Sequence, residues 1–407
     1  MRYCYALLLL FLSFQSQAQL MGFNLPNGVD RVEIPFEFSN NFIIVRVIFD
    51  DVFPLSFIFD TGSENTILVK KEITDILDIS YDRTFKVMGA DLDQELTAYL
   101  VRGIKMNLPN LYSPNIDLLV LKDDYFQFEA FTGLKIHGIL GMDLFKTFTI
   151  QIDYQKQKLI LHRIEKFKIP SSKFKSLPIE IHRNKPYLNI EGKITNEHTT
   201  PLKLLLDTGA SLALLLHNNS SADIRLPEKL IPGKIGNGLG GFINGFVGRI
   251  NQLSLDEFYF NSVITNFQEV DSLSNLKINI GRNGILGNEI LSRFKVIIEY
   301  AKNKVHLKPI KKYNKFFKFD KSGITLLATG KALNQFVVKE LIPDSPADHA
   351  GIKLGDRVIN INLTPANFYD LRRITRILQR RTGKRIRLVI NRDGQRMVFK
   401  FRLRDLI

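Results

Sequence analysis

The sequence predicts an all-β molecule of two homologous lobes formed by internal duplication, followed by a small α+β domain. Three observations predict it. Residues 138–162 and 284–308 repeat each other, with ten of 25 positions identical and no gap. Apolar runs rich in Ile, Val and Phe alternate with polar turns through the first 310 residues, with little helical spacing. After Pro309 the pattern changes to strands around one helical stretch.

The repeat defines the lobes. Phe59-Asp60-Thr61-Gly62-Ser63 matches Leu206-Asp207-Thr208-Gly209-Ala210, and each copy is followed by Gly-Ile-Leu-Gly. The interval from Asp to the first of those glycines is 78 residues in one copy and 77 in the other. A unit of this length is too long for a solenoid repeat and reads as a lobe. The lobes are placed at 30–165 and 175–310. Strands are expected at 42–49 and 55–59, and at 202–206 and 212–216 in the second copy. A hairpin is expected at 295–300 and 304–307 around Ala301-Lys302-Asn303. Helix is expected only in short pieces, at 143–146 and 289–293.

Residues 311–321 read as a linker leading into a strand, and 322–407 as a separate domain. Strands are expected there at 323–327, 336–341, 386–391 and 397–403, the last two across Asp393-Gly394. Between them, 369–381 has helical spacing, with Leu371, Ile374, Ile377 and Leu378 on one face.

Composition narrows the function. Arg2, the apolar run 5–12 and small residues at Ser16 and Ala18 predict an export signal at 1–18, hence a periplasmic or extracellular protein. The one cysteine, Cys4, lies in that signal, so the expected mature chain has no thiol for a disulfide, a nucleophile or a zinc site. Charge is uneven. Residues 311–407 hold 22 Lys and Arg against 8 Asp and Glu, leaving 34 against 33 in the first 310. The basic character belongs to the tail, which argues against a nucleic-acid enzyme, whose catalytic body would carry the basic footprint.

The chemistry sits in the paired triplets. Hydrolysing a peptide without a metal or a covalent intermediate needs a base for water and an acid for the carbonyl. Two carboxylates about 3 Å apart supply both, because like charges that close cannot both ionise. Asp60 and Asp207 are the candidate catalytic pair. Gly62 and Gly209 permit the tight loops. Thr61 and Thr208 offer short hydroxyls to the facing loop. A lone Asp-Thr-Gly is an ordinary turn; two copies in a duplicated unit are specific.

These residues resemble the pepsin and retropepsin families of aspartic peptidases over residues 30–310. The resemblance implies a two-lobed acid-protease fold and hydrolysis of polypeptide substrates with no cofactor and no metal. It places a hydrophobic-hydrophobic-Gly element beneath each catalytic loop, at Ile139-Leu140-Gly141 and Ile285-Leu286-Gly287. It assigns Ser63 as the residue whose hydroxyl bonds the first carboxylate, with Ala210 in the second lobe as in retropepsin-like members. Hydrogen bonding from Ser63 would favour ionised Asp60. Flap hairpins are implied at 85–101, with its tip near 89–94, and at 234–250. The pepsin-type flap tyrosine has no match, and 19–30 is short for a pepsin-like propeptide.

Other motifs are weaker. Gly236-Asn237-Gly238-Leu239-Gly240-Gly241 contains G-x-G-x-x-G, but a strand pattern follows where a nucleotide fold needs a helix. The histidines lack metal-ligand spacing, and no G-x-S-x-G is present. Ser345-Pro346-Ala347, Ala350-Gly351-Ile352 and Gly355-Asp356-Arg357-Val358 resemble the PDZ domains attached to bacterial peptidases. That resemblance implies capture of C-terminal peptides by the loop Gly323-Ile324-Thr325-Leu326, beside the helix at 369–381. The basic surface would favour acidic segments; docking on an anionic membrane surface is the competing use of that charge. The rival to a peptidase is a non-catalytic peptide-binding or scaffold protein on the same fold.

Overall fold

A computed structural model describes residues 22–88, 95–195, 198–238, 241–270 and 281–407. The expected signal at 1–18 and the expected flap tip at 89–94 lie outside the described residues.

The body is β, as the alternating apolar runs require. Strand Phe42–Phe49 falls where expected, and its neighbour begins slightly early, at Phe53–Phe59. Their copies are Lys185–Lys193 and Thr200–Leu206. The lobes are joined by a shared antiparallel sheet, in the order Lys175–Pro178, Lys304–Pro309, Phe294–Glu299, Phe148–Asp153, Lys158–Arg163, Arg31–Ser39. Its two middle strands are the two copies of one repeat strand. They pair about a pseudo-twofold axis, with Gln151 opposite its own counterpart Ile297. The duplication is therefore the joint. One continuous apolar core runs through both lobes, from Phe57 and Phe145 to Leu216 and Phe294.

Local expectations were met unevenly. The second copy forms a short helix, Asn288–Leu291. The 143–146 stretch is only a turn, because the Asp143 carboxylate accepts hydrogen bonds from the Thr66 amide and hydroxyl at 2.9 Å each. Two further short helices form, Lys71–Ile76 and Phe128–Thr132.

Residues 311–314 form a turn and 315–321 run on without a strand. Phe317 is buried in the main core, and the Arg293 guanidinium lies 3.6 Å from its ring centre. Arg293 also donates to the carbonyls of Tyr313 and Lys315. The segment is a packed strap.

The C-terminal domain has its own core. Its sheet runs Ile324–Thr329, Gln335–Leu341, Arg357–Ile361, Arg385–Arg392, Gln395–Arg402. The helix is shorter than its apolar spacing suggested, Leu371–Leu378, because the Asp370 side chain caps it by accepting from the Arg373 amide at 2.6 Å. Strand Ile324–Thr329 is an edge of that sheet, and helix Phe128–Thr132 of the first lobe packs against it.

Candidate active site

Each lobe sends one apolar strand to the pseudo-twofold axis. Phe53–Phe59 pairs in parallel with Gly138–Leu140, so that Ile58 faces Ile139. Thr200–Leu206 pairs likewise with Gly284–Leu286, so that Leu205 faces Ile285. The Asp60 amide then donates to the Leu140 carbonyl at 3.1 Å, and the Asp207 amide to that of Leu286 at 3.0 Å. The hydrophobic-Gly elements thus hold the first residue of each loop. Gly141 and Gly287 are tied in as well: their amides donate to the Thr66 hydroxyl at 3.1 Å and the Ala213 carbonyl at 3.0 Å.

The threonines cross the axis reciprocally. The Thr61 amide donates to the Thr208 hydroxyl at 3.0 Å, and the Thr208 amide to the Thr61 hydroxyl at 3.0 Å. Each hydroxyl in turn donates to the opposite strand, to Leu206 at 2.7 Å and Phe59 at 2.9 Å. All four bonds are buried. They clamp the loops face to face, and the glycines let them approach. A methyl at Gly62 would lie 2.5 Å from the Asp207 carboxyl carbon, and one at Gly209 2.3 Å from that of Asp60.

The two carboxyl groups meet and hydrogen-bond each other. Burial, then the charge of Asp207, raises Asp60 well above the usual carboxylate range. Burial raises Asp207 too, but hydrogen bonds hold it back. Backbone amides reach both carboxylates. Asp207 Oδ1 accepts from both Gly209 at 2.7 Å and Ala210 at 2.9 Å. Asp60 Oδ1 accepts from Gly62 at 2.6 Å, and the Gly209 amide favours its charged form as well. The Ser63 hydroxyl donates to the Asn65 carbonyl at 2.8 Å. The expected Ser63 contribution to Asp60 is therefore overturned, because a nearer carbonyl takes that hydroxyl. The asymmetry runs the other way: Asp60 is the better holder of the proton and Asp207 of the charge.

Some supporting residues were not legible in the sequence. Asn288 donates to the Thr208 carbonyl at 2.6 Å and accepts from the Tyr154 hydroxyl at 2.6 Å, so it buttresses the second loop and is itself held from the first lobe. Asn41 donates to the Ser211 carbonyl at 2.8 Å, and Arg183 pairs with Glu64 at 2.9 Å. These two contacts are pseudo-symmetric clasps between turn and opposite loop. The only signal for them was their place in the repeat.

Residues 45–144 match the aspartyl protease family, and residues 337–392 match the PDZ domain family. The chain carries an aspartyl protease domain and a PDZ domain. Comparison with curated proteins gave no significant match.

Around the protease dyad, hairpin Arg83–Met88 with Glu95–Leu108 stands at the first-lobe flap position, and Ile231–Gly238 with Gly241–Leu255 at the second. Strands end at Gly238 and begin again at Gly241, so the described parts of the G-x-G-x-x-G run are strand, with no helix following. Among the described residues, no cluster of His, Cys, Asp or Glu could hold a metal.

The PDZ loop differs from expectation. Gly323 adopts φ +85°, but its amide donates to Asp320 Oδ1 at 2.6 Å. The Ser322 amide and hydroxyl donate to the same oxygen at 2.9 Å each, and the Ile324 amide donates to the Ser322 hydroxyl at 3.2 Å. Thr325 and Leu326 already lie in strand pairing. The loop expected to cradle a ligand carboxylate thus has its leading amides bound within the chain. Burial raises Asp320 to about 6.

Proposed function

We propose that the protein is an aspartic-type endopeptidase whose PDZ domain binds polypeptide segments. The observation that carries the reading is the hydrogen-bonded Asp60–Asp207 pair, clamped by reciprocal threonines at the junction of two duplicated lobes. A pair sharing one proton suits general acid–base hydrolysis. The stronger upward shift of Asp60, from burial and the charge of Asp207, supports Asp207 as the base and Asp60 as the acid. Water between them attacks the scissile carbonyl and gives a proton to Asp207, while Asp60 protonates the carbonyl oxygen. Collapse of the tetrahedral diol breaks the C–N bond, as Asp207 passes a proton to the leaving nitrogen and a diol hydroxyl returns one to Asp60. The test is hydrolysis of a denatured protein with and without an inhibitor that mimics the tetrahedral diol. Inhibitor-sensitive cleavage supports the reading, and no cleavage at any pH from 3 to 8 overturns it.

For the PDZ domain, strand addition along the edge strand Ile324–Thr329 beside helix Leu371–Leu378 requires helix Phe128–Thr132 of the first lobe, which packs against that edge, to give way. Because the loop amides are engaged by Asp320 and Ser322, internal segments fit this groove as well as chain ends do. Carboxylate and amidated forms of one peptide are expected to bind equally in a polarisation titration. Strong preference for the free carboxylate would contradict this. The basic surface favours acidic segments by speeding encounter, an effect that salt weakens. Export through the segment 1–18 belongs to the same proposal, and N-terminal sequencing of the secreted protein checks it.

A further inference from the structure

The two lobes share a backbone but not a chemistry beside the dyad. Register fixes which residues correspond. In the first lobe Ile58 stands between Ile44 and Ile139, and Ile139 faces Ile67. In the second, Leu205 stands between Tyr187 and Ile285, and Ile285 faces Leu215. Val69 and His217 correspond as well, since their amides bond the carbonyls of His137 and Asn283 at 2.8 Å each. It follows that Phe42 corresponds to Lys185 and Ile136 to Arg282.

In the first lobe these positions form one apolar wall: Phe42, Ile44, Val69 and Ile136 are all buried together. In the second lobe the same four positions hold Lys185, Tyr187, His217 and Arg282. Leu215, Ile235 and Ile243 remain as the apolar floor. The ring nitrogens of His217 and the Nε of Arg282 are buried without a hydrogen-bond partner. Glu64, the nearby carboxylate, is taken by Arg183. Among the described residues no carboxylate pairs with Lys185 or Arg282. Arg282 is close enough to weigh on both His217 and Asp207, and Lys185 feels Asp60. Burial and Arg282 push His217 down to about 3, so it stays neutral beside the cations. Arg282 hydrogen-bonds Tyr187, but half-buried cations that lack a carboxylate partner are costly unless a ligand completes them.

We propose that Lys185 and Arg282 form a subsite of the second lobe that takes an acidic substrate side chain close to the scissile bond, opposite an apolar subsite of the first lobe. This rests on the peptidase reading and names its substrate class: polypeptides with an acidic and a large apolar residue flanking the cleaved bond.

The experiment uses matched peptides that differ only in Glu against Gln, moved one position at a time around an apolar–apolar bond. At one position the wild type is expected to favour Glu in kcat/KM by about tenfold or more, the worth of one charge-assisted hydrogen bond. Arg282→Met and Lys185→Met should bring that ratio towards one, Arg282→Lys should retain much of it, and Arg282→Glu should shift the preference to Lys. A wild type that cleaves the Gln peptide as well as the Glu peptide at every position would overturn the proposal. So would an unchanged ratio in folded Arg282→Met and Lys185→Met proteins. If the wild type cleaved neither peptide, the peptidase reading would fail by itself. The subsite is still read by polarisation titration of the same peptides on Asp60→Asn protein, where equal affinity for Glu and Gln forms overturns it.

Discussion

At the residue scale, the dyad decides pH dependence. Activity needs one proton on the pair, so it is lost below the lower apparent pKa, where both are protonated, and above the upper one, where both are ionised. Burial and mutual charge raise Asp60 well above the ordinary range, and burial raises Asp207 less. Both limbs therefore move upward. A bell-shaped profile of kcat/KM with its maximum in mildly acidic to neutral solution is expected, and a profile confined to strong acid would contradict the geometry. The two aspartates, their glycines and threonines were legible in the sequence because each occurs twice at matched spacing. The proton's owner was not. It depends on whether the Ser63 hydroxyl turns to Asp60 or to the Asn65 carbonyl, and on the Ala210 amide, which no side-chain identity reports.

At the element scale, the duplication makes twins whose differences can be tested. Tyr154 and Tyr300 occupy equivalent places just beyond the ends of the paired central strands. The Tyr154 hydroxyl reaches Asn288 at 2.6 Å, but the residue equivalent to Asn288 in the first lobe is Met142. The Tyr300 hydroxyl is accordingly buried without a partner. Tyr300→Phe should stabilise the fold by about 1–2 kcal/mol by removing an unsatisfied group, whereas Tyr154→Phe should cost about 1–3 kcal/mol by orphaning Asn288. Denaturant midpoints at constant m-value would check both, and equal signs would refute the pairing. The strands themselves were readable because their apolar runs are buried on both faces near the axis. Short helices such as Phe128–Thr132 were not, since a single turn has too few positions for periodicity to register. The PDZ helix was readable on its apolar face, but its start was set by the Asp370 cap.

At the scale of the whole molecule, the strap at 311–321 changes how the domains depend on each other. Composition made it look like a linker, being basic and without period. Phe317 and Tyr313 instead finish the protease core, with Phe317 buried and stacked on Arg293. Phe317→Ala should cost about 3–5 kcal/mol of stability, comparable to other large-to-small core changes. A truncation after 310 should lower the unfolding midpoint of the protease body far more than one after 321; equal midpoints would show the strap to be a passive tether. Contact between helix Phe128–Thr132 and the PDZ edge strand has a second consequence. Phe128 also stacks on Phe126, at 4.5 Å between ring centres, in the apolar wall of the first lobe. The PDZ groove and that wall therefore share one helix. All of this presupposes a working dyad, and the most direct measurement is kcat/KM for a cleavable peptide with Asp60→Asn and Asp207→Asn proteins beside the wild type. A shared-proton pair predicts that each substitution alone lowers kcat/KM by at least about a thousandfold, within the usual reach of general acid–base catalysis, while circular dichroism stays unchanged; activity within tenfold of wild type in either folded variant would contradict it.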